Sequence, residues 1–328
     1  MSANEHSPAA AAGAGGGRRT LVAVMGAVVA VLAVAACGGP AGSSGLAGTS
    51  GLAGSSGSAG AGAATRATPS GAVTAGAATR ADPSHADPFS TAVRGYLAGR
   101  AGTVLAGVYD VRTGQSWRLG DGPAQDEASV VKVDILETLL SASDGVGLSA
   151  DNQPLAQQMI EDSDNNAATD EWDAAGGAAG LTAYNAQAGL TGTTPSPCVA
   201  CAGFPWPGWG LTTTVPDDQI TLLKRIILPS SLLTSAERRY ALSLLENVTP
   251  DQAWGVSDGV PGGVTVALKN GWLPLNDADT DWQINSEGWV SGDGRDYLIS
   301  VLTTGNPDEQ YGIDTVSELS ALVWAAMR

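Results

Sequence analysis

Three short stretches of this chain carry residue types able to perform acyl transfer. Ser129-Val130-Val131-Lys132 places a hydroxyl and an amine three residues apart, which on a helix is one face, so the amine can reach the hydroxyl. A hydroxyl is a poor nucleophile until a base removes its proton. A lysine serves as that base only if its pKa falls well below about 10.4, through burial or a second nearby cation. The apolar neighbours Val130, Val131, Val133 and Ile135 predict the burial, and Lys269, in Lys269-Asn270-Gly271 at the end of a Val-rich strand, offers the cation. A serine at a helix start also has unpaired backbone N–H groups and positive dipole potential beside a developing anion. The third stretch is Ser163-Asp164-Asn165. Taken alone it also reads as helix-capping chemistry.

What is missing narrows the chemistry further. The only histidines, His6 and His85, precede the part that can fold, which excludes a His-based triad, a His-ligated zinc and a His-ligated haem inside it. No metal or other cofactor is expected. The chain carries a formal charge of −17, and residues beyond 88 hold 12 basic against 30 acidic groups. Such a surface repels phosphate backbones and anionic lipid, so nucleic acid is not an expected partner. Lys132, Lys269 and Arg295 are the cations that could focus a local positive field. Gly255-Val256-Ser257-Asp258-Gly259 matches a nucleophile-elbow pattern, but no His follows it, and a turn entering the next strand is the better reading. Cys198-Val199-Ala200-Cys201 has neither a second pair nor a His for zinc. In an exported protein it reads as a disulfide that pins its loop.

The elements that must position these residues follow from pattern. Residues 89–100 predict a helix, and 104–109 with 115–119 a hairpin. An Ala-, Leu- and Gln-rich block over 129–189 predicts helices, followed by a Pro-, Gly- and Trp-rich loop over 191–211 and helices over 215–228 and 235–248. In that loop Trp206 and Trp209 either stack on substrate or plug the helical region, the plug being favoured because large aromatics mostly bury area. Strand patterns return over 264–270, 282–291 and 296–303, with an amphipathic helix over 308–327. Trp282 and Trp289 fall on opposite faces by parity, so at least one packs under a helix. Strands at both ends with helices between predict an α+β fold: a five-stranded antiparallel sheet flanked by helices, plus an all-helical lobe. The cleft between sheet and lobe is the natural site.

In order and context, the three motifs resemble the S-x-x-K, S-D-N and K-T-G signatures of class A β-lactamases and penicillin-binding proteins. The resemblance spans 89–328. It implies that Ser129 is the nucleophile, that Lys132 activates it, and that Ser163 relays a proton to the leaving nitrogen. By the same resemblance Asn165 holds a substrate amide, and Lys269 and Asn270, with Gly271, bind the substrate carboxylate. The N–H groups of Ser129 and Trp272 then form the oxyanion hole. Two departures stand out. Asn270 replaces the usual Thr or Ser. No Asp or Glu occurs from Ala174 to Pro216, where class A enzymes carry the Glu that activates the deacylating water. Glu171 and Asp173 lie too early to inherit that role. A lost general base costs about 10²–10⁴-fold, so acylation without rapid turnover is expected.

The N-terminal part implies location. Arg18 and Arg19 precede a 16-residue apolar run over 21–36 that ends in Val34-Ala35-Ala36-Cys37. This is too short for a membrane span, has the length of a signal-peptide core, and resembles a lipobox with Cys37 as the lipidated residue. Residues 1–37 are thus read as a signal peptide. Residues 38–88 are read as a Gly/Ala/Ser/Thr-rich disordered linker with a reach of roughly 40 Å, and 89–328 as the serine hydrolase domain. The expectation is an exported monomer, lipid-anchored on the outer face of the cytoplasmic membrane or secreted if the lipobox is unused. It is acylated at Ser129 by a β-lactam or a peptide-like amide. The alternatives are a D-alanyl-D-alanine-type peptidase acting on cell-wall peptide, and a binding or sensor lipoprotein that has lost turnover.

Overall fold

The computed structural model describes residues 86–202, 204–276 and 278–328. The stretch read as a signal peptide, with Cys37, and the stretch read as a linker up to residue 85 lie outside the described residues. Helix α1 (Thr91–Leu97) precedes a hairpin of β1 (Thr103–Asp110) and β2 (Ser116–Leu119). Short β3 (Gln125–Asp126) leads through a 3-10 turn at Ala128–Val130 into α2 (Val131–Ala142). The helical block then resolves into α3 (Asn152–Glu161), α4 (Asn165–Ala174) and α5 (Gly177–Ala188). A long loop ends in a 3-10 turn at Gly208–Leu211 and β4 (Thr213–Thr214), followed by α6 (Pro216–Ile227) and α7 (Ser235–Glu246). Strands β5 (Thr265–Pro274), β6 (Trp282–Gly292) and β7 (Arg295–Asn306) and helix α8 (Glu309–Ala326) complete the chain.

The sheet runs β2-β1-β7-β6-β5, antiparallel throughout, which is the expected α+β architecture. Helices α1 and α8 cover one face, burying Phe89, Val93, Val316, Leu319 and Val323 against Val301 and Ile299. The remaining helices form the lobe around Val133, Leu136, Met159, Ile160, Leu181 and Leu245. Helix α2 is buried on every side from Val131 to Leu140, the pattern of a central helix rather than an amphipathic surface one. Local chemistry sets the ends. Pro216 opens α6, with Asp217 and Asp218 in the first turn and Lys224 and Arg225 in the last, each sign matching the helix dipole. Thr234 and Glu237 close a reciprocal capping box on α7, satisfying two otherwise orphaned donors.

One difference from the sequence pattern bears on the site. Strand β5 continues four residues past Asn270, through Gly-Trp-Leu-Pro to Pro274, paired with β6 as far as Trp282. Gly and Pro read as strand breakers, but β5 is an edge strand, where a missing proline N–H need cost no ladder bond. The extension carries Gly271 and Trp272 alongside the turn that bears Ser129.

Candidate active site

Ser129 sits in the 3-10 turn immediately before α2, 8% exposed, rather than within the α-helix. In 3-10 geometry residues i and i+3 eclipse, so the relation of Ser129 to Lys132 survives the change. Two neighbouring sheet residues fix this turn. Gly271 lies so close that a Cβ built there would sit 2.7 Å from Ser129 N, 2.9 Å from Val130 N and 2.9 Å from the Glu127 carbonyl oxygen. Its register partner Asn285 donates from Nδ2 to the carbonyls of Asp126 and Glu127, both at 2.9 Å. Its Oδ1 accepts from Gln283 Nε2 at 2.9 Å, which also donates to Gln125 at 3.1 Å. A pleated sheet puts one such row on one face, and this row is the seat of Ser129. The sequence motifs did not point to Asn285, which has no signature spacing. Its register opposite Gly271 is the signal.

Lys132 is fully buried. Its Nζ lies 2.7 Å from the Ser163 carbonyl oxygen, 3.0 Å from Ser163 Oγ and 2.8 Å from Asn165 Oδ1, with the Trp209 ring centroid at 5.2 Å. Burial first, and then the neighbouring Lys269 charge, push its pKa well below the ordinary lysine value. A neutral amine has two N–H donors and one lone pair. The Ser163 carbonyl and Asn165 Oδ1 can only accept, so these two contacts take both N–H donors of a neutral amine and leave its lone pair for a hydroxyl. Ser163 Oγ also accepts from Lys269 Nζ at 2.9 Å, so this hydroxyl bridges the two amines. Ser163 holds a left-handed backbone, φ 57°, an uncommon conformation for a non-glycine residue. The capping reading of the motif belongs to its middle residue: Asp164 accepts from Ala167 N at 2.7 Å, which leaves Ser163 and Asn165 to face Lys132.

Lys269 is buried, with a second hydrogen bond to the Asn270 carbonyl at 3.0 Å. Desolvation brings its pKa to about 7 against the opposing pull of Glu287, its register partner on β6. Asn270 departs from expectation. Successive strand side chains face opposite ways, and its amide is fully buried on the far side, donating to the carbonyls of Gln252 at 2.6 Å and Trp254 at 3.1 Å. That side chain holds the 252–254 segment and is not offered to a substrate carboxylate. Arg295 is also elsewhere. It binds the Trp324 carbonyl and pairs with Asp293, so it supplies no field at the cleft.

A cleft of about 210 Å³ opens over Ser129 and Asn165, walled by Phe204, Trp206, Trp209, Trp272 and Trp282. Its far wall is the loop that the sequence marked. Cys198 and Cys201 are disulfide-bonded, and Gly208 N donates to the Cys198 carbonyl at 2.7 Å. Trp209 is buried in the lobe's core and donates to Thr169 on α4 at 3.2 Å, so it plugs the lobe and lines the cleft at once. The β3–β4 pair and a Glu127 N to Thr212 carbonyl bond of 2.8 Å tie the loop's end to the turn that bears Ser129. Trp289 packs against Leu298 under α6. Glu171 points instead to Asn152 of α3. The 255–259 motif is a 3-10 turn, Gly255 donating to Asp258 at 2.8 Å. Among the described residues, no cluster of three or more His, Cys, Asp or Glu side chains could hold a metal ion.

Two buried lysines thus meet at Ser163 of the Ser-Asp-Asn turn, beside the cleft that Ser129 lines. Residues 137–327 match the model of the Beta-lactamase enzyme family, and the chain belongs to that family. The match begins on α2, eight residues after Ser129. Among solved structures the fold is similar to that of the TLA-1 extended-spectrum β-lactamase, with TM-score 0.64 and 15% identity over 73% of this chain and 97% of that one. It is also similar to a class A β-lactamase from Mycobacterium abscessus, with TM-score 0.58 and 20% identity over 72% and 97%. A curated relative from Mycobacterium tuberculosis, named "Putative lipoprotein LppW", is 27% identical over 229 residues, 67% of this chain and 69% of that protein.

Proposed function

We propose that this protein is an exported serine acyl-transfer enzyme whose Ser129 is acylated by a strained or peptide-like amide. Lys132 acts as the base that removes the hydroxyl proton. The observation that carries this reading is the bridge Lys132–Ser163–Lys269, with Ser163 Oγ 3.0 and 2.9 Å from the two amines. A proton taken from Ser129 by neutral Lys132 can pass to Ser163 and on to the leaving group. Positive charge on Lys269 disfavours protonation of Lys132 before the reaction and steadies the negative charge that develops. In this reading the N–H groups of Ser129 and Trp272, on either side of the close approach of Gly271, receive the oxyanion.

Deacylation is slow in this reading, because no carboxylate lines the cleft among the described residues and water attack lacks a positioned base. That favours a long-lived acyl-enzyme, the behaviour of a penicillin-binding peptidase or sensor, over rapid hydrolysis. The lipobox-like run ending at Cys37 and the name of the mycobacterial relative support a lipid-anchored protein outside the cytoplasmic membrane. Intact-mass spectrometry of the full chain after exposure to activated esters, thioesters and a fluorescent penicillin tests the chemistry. A stoichiometric adduct on Ser129, absent in Ser129→Ala, is expected. Labelling that survives Ser129→Ala overturns the proposal. Loss of globomycin-sensitive processing on Cys37→Ala tests the anchor.

A further inference from the structure

Among the described residues, no charged side chain lines the cleft above Ser129. Its walls are five aromatic side chains with Pro274 and Leu273, and its polar lining near the nucleophile is Asn165. Phe204 meets Trp206 and Trp209 edge-on, at 5.7 and 5.8 Å between ring centroids, and its ring tip lies 3.1 Å from where a Gly210 side chain would begin. The groups that would neutralise a substrate carboxylate are engaged and covered. Lys269 is 1% exposed, with Nζ committed to Ser163 Oγ and the Asn270 carbonyl. The Asn270 amide is 0% exposed and spent on two carbonyls. A carboxylate entering this space would lose hydration without gaining a partner, which is strongly unfavourable. A flat apolar group gains area and edge-to-face contacts instead. The volume is below the usual range of about 300–1,000 Å³ for small-molecule pockets, so it suits one such group rather than a whole drug-sized ligand.

The geometry points to an acyl donor that carries no charge and presents an aromatic or similarly flat apolar acyl group to the Phe204–Trp206–Trp209–Trp272 wall. This rests on acylation at Ser129 as proposed above and names its substrate class. In the step, a bond forms from Ser129 Oγ to the acyl carbon and the acyl–heteroatom bond breaks. The serine proton passes by Lys132 and Ser163 to the departing thiol, alcohol or amine. Burial supports the same choice, since desolvation brings the Lys269 pKa down to about 7 and weakens its hold on an anion at neutral pH.

The test uses the full chain and three thioesters: phenylacetylglycyl thioglycolate, its uncharged methyl ester, and the acetylglycyl methyl ester. Acylation of Ser129 is followed by intact mass. The uncharged phenylacetyl ester is expected to acylate at least tenfold faster than its carboxylate parent and at least tenfold faster than the acetyl ester. In Trp206→Ala the phenylacetyl-to-acetyl ratio should fall about tenfold, the range one apolar contact group commands. If the carboxylate parent reacts as fast or faster, or if phenylacetyl and acetyl donors do not differ, the substrate assignment is overturned while acylation at Ser129 stands. If none of the three labels Ser129, acylation there is itself refuted, and the assignment falls with it.

Discussion

The two flanks of α2 bury opposite kinds of charge. Toward α4 the helix presents Lys132, packed beside Lys269, with every hydrogen bond of the pair made to Ser163, Asn165 or a carbonyl. Toward α5 and α6 it presents Asp134, bonded to Asn185 Nδ2 at 2.8 Å, and Glu137, bonded to the Tyr184 hydroxyl at 2.5 Å. Glu127, which faces the Gln219 amide, and Glu287, which faces Lys269, lie buried nearby. Desolvation acts on both flanks and always favours the neutral form: it lowers the two amines and raises the acids. The consequences differ. A neutral lysine is a base ready to accept a proton, whereas a neutral carboxylic acid is not. One physical cause therefore leaves basic amines on the cleft side and protonated acids on the other.

The sharpest way to break this contrast is to change one charge on each flank. Lys132→Met should slow acylation of Ser129 by about 10²–10⁴-fold, the usual worth of a general base. Glu137→Gln, equally buried on the same helix, should slow it less than about threefold. Single-turnover acylation measured by mass spectrometry separates them, and a comparable loss in both would mean that the acid layer takes part in the reaction.

The seat of the nucleophile comes next in size. Asn285→Ala strips one bond each from the half-buried carbonyl of Asp126 and the buried carbonyl of Glu127. An unsatisfied buried group costs about 1–3 kcal/mol, so urea unfolding should show a loss of roughly 2–4 kcal/mol. Gly271→Ala places a methyl against backbone atoms at 2.7–2.9 Å, none of which can rotate away. Its acylation rate should fall at least tenfold, a displacement of the nucleophile by a fraction of an ångström being enough. A Gly271→Ala variant of normal rate would show that the turn is not held by this contact.

The order of elements and the three motifs could be read from sequence because periodicity and spacing are local. The helix and strand expectations over 215–228, 235–248 and 282–291 each fell within a few residues of α6, α7 and β6. Asn270 departs for a local reason too: it belongs to the Lys269-Asn270-Gly271 motif, but strand parity turns its side chain to the other face. Asn285 could not be found at all, because its importance comes from lying across a ladder from Gly271, and register is a long-range property. The aromatic wall was visible as a run of tryptophans in one loop, but Trp272 and Trp282 come from strands that meet it only in three dimensions.

The smallest effect concerns pH, where the two flanks should pull in opposite directions. Acylation needs Lys132 neutral, so its rate should climb with pH, by about tenfold per unit below that amine's pKa. Asp134 is raised from 3.8 to about 7 in the folded protein, and Glu171, in the helical lobe, from 4.5 to about 7. The folded state therefore holds protons that the unfolded chain has already released between about pH 4 and 7. Stability from these groups is present below their unfolded pKa values and is lost as pH rises through 7. Thermal unfolding at pH 5.5 and 7.5 should show the lower Tm at pH 7.5, the condition under which acylation is faster. Asp134→Asn keeps an acceptor for Asn185 without a titrating proton and should narrow the Tm gap between the two pH values. The acylation profile should stay where it was, since Asp134 lies on the flank away from Ser163. If the gap is unchanged, the acid layer is not what sets the pH response of the fold. If the acylation profile moves with Asp134→Asn, the two flanks of α2 are electrostatically coupled rather than separate.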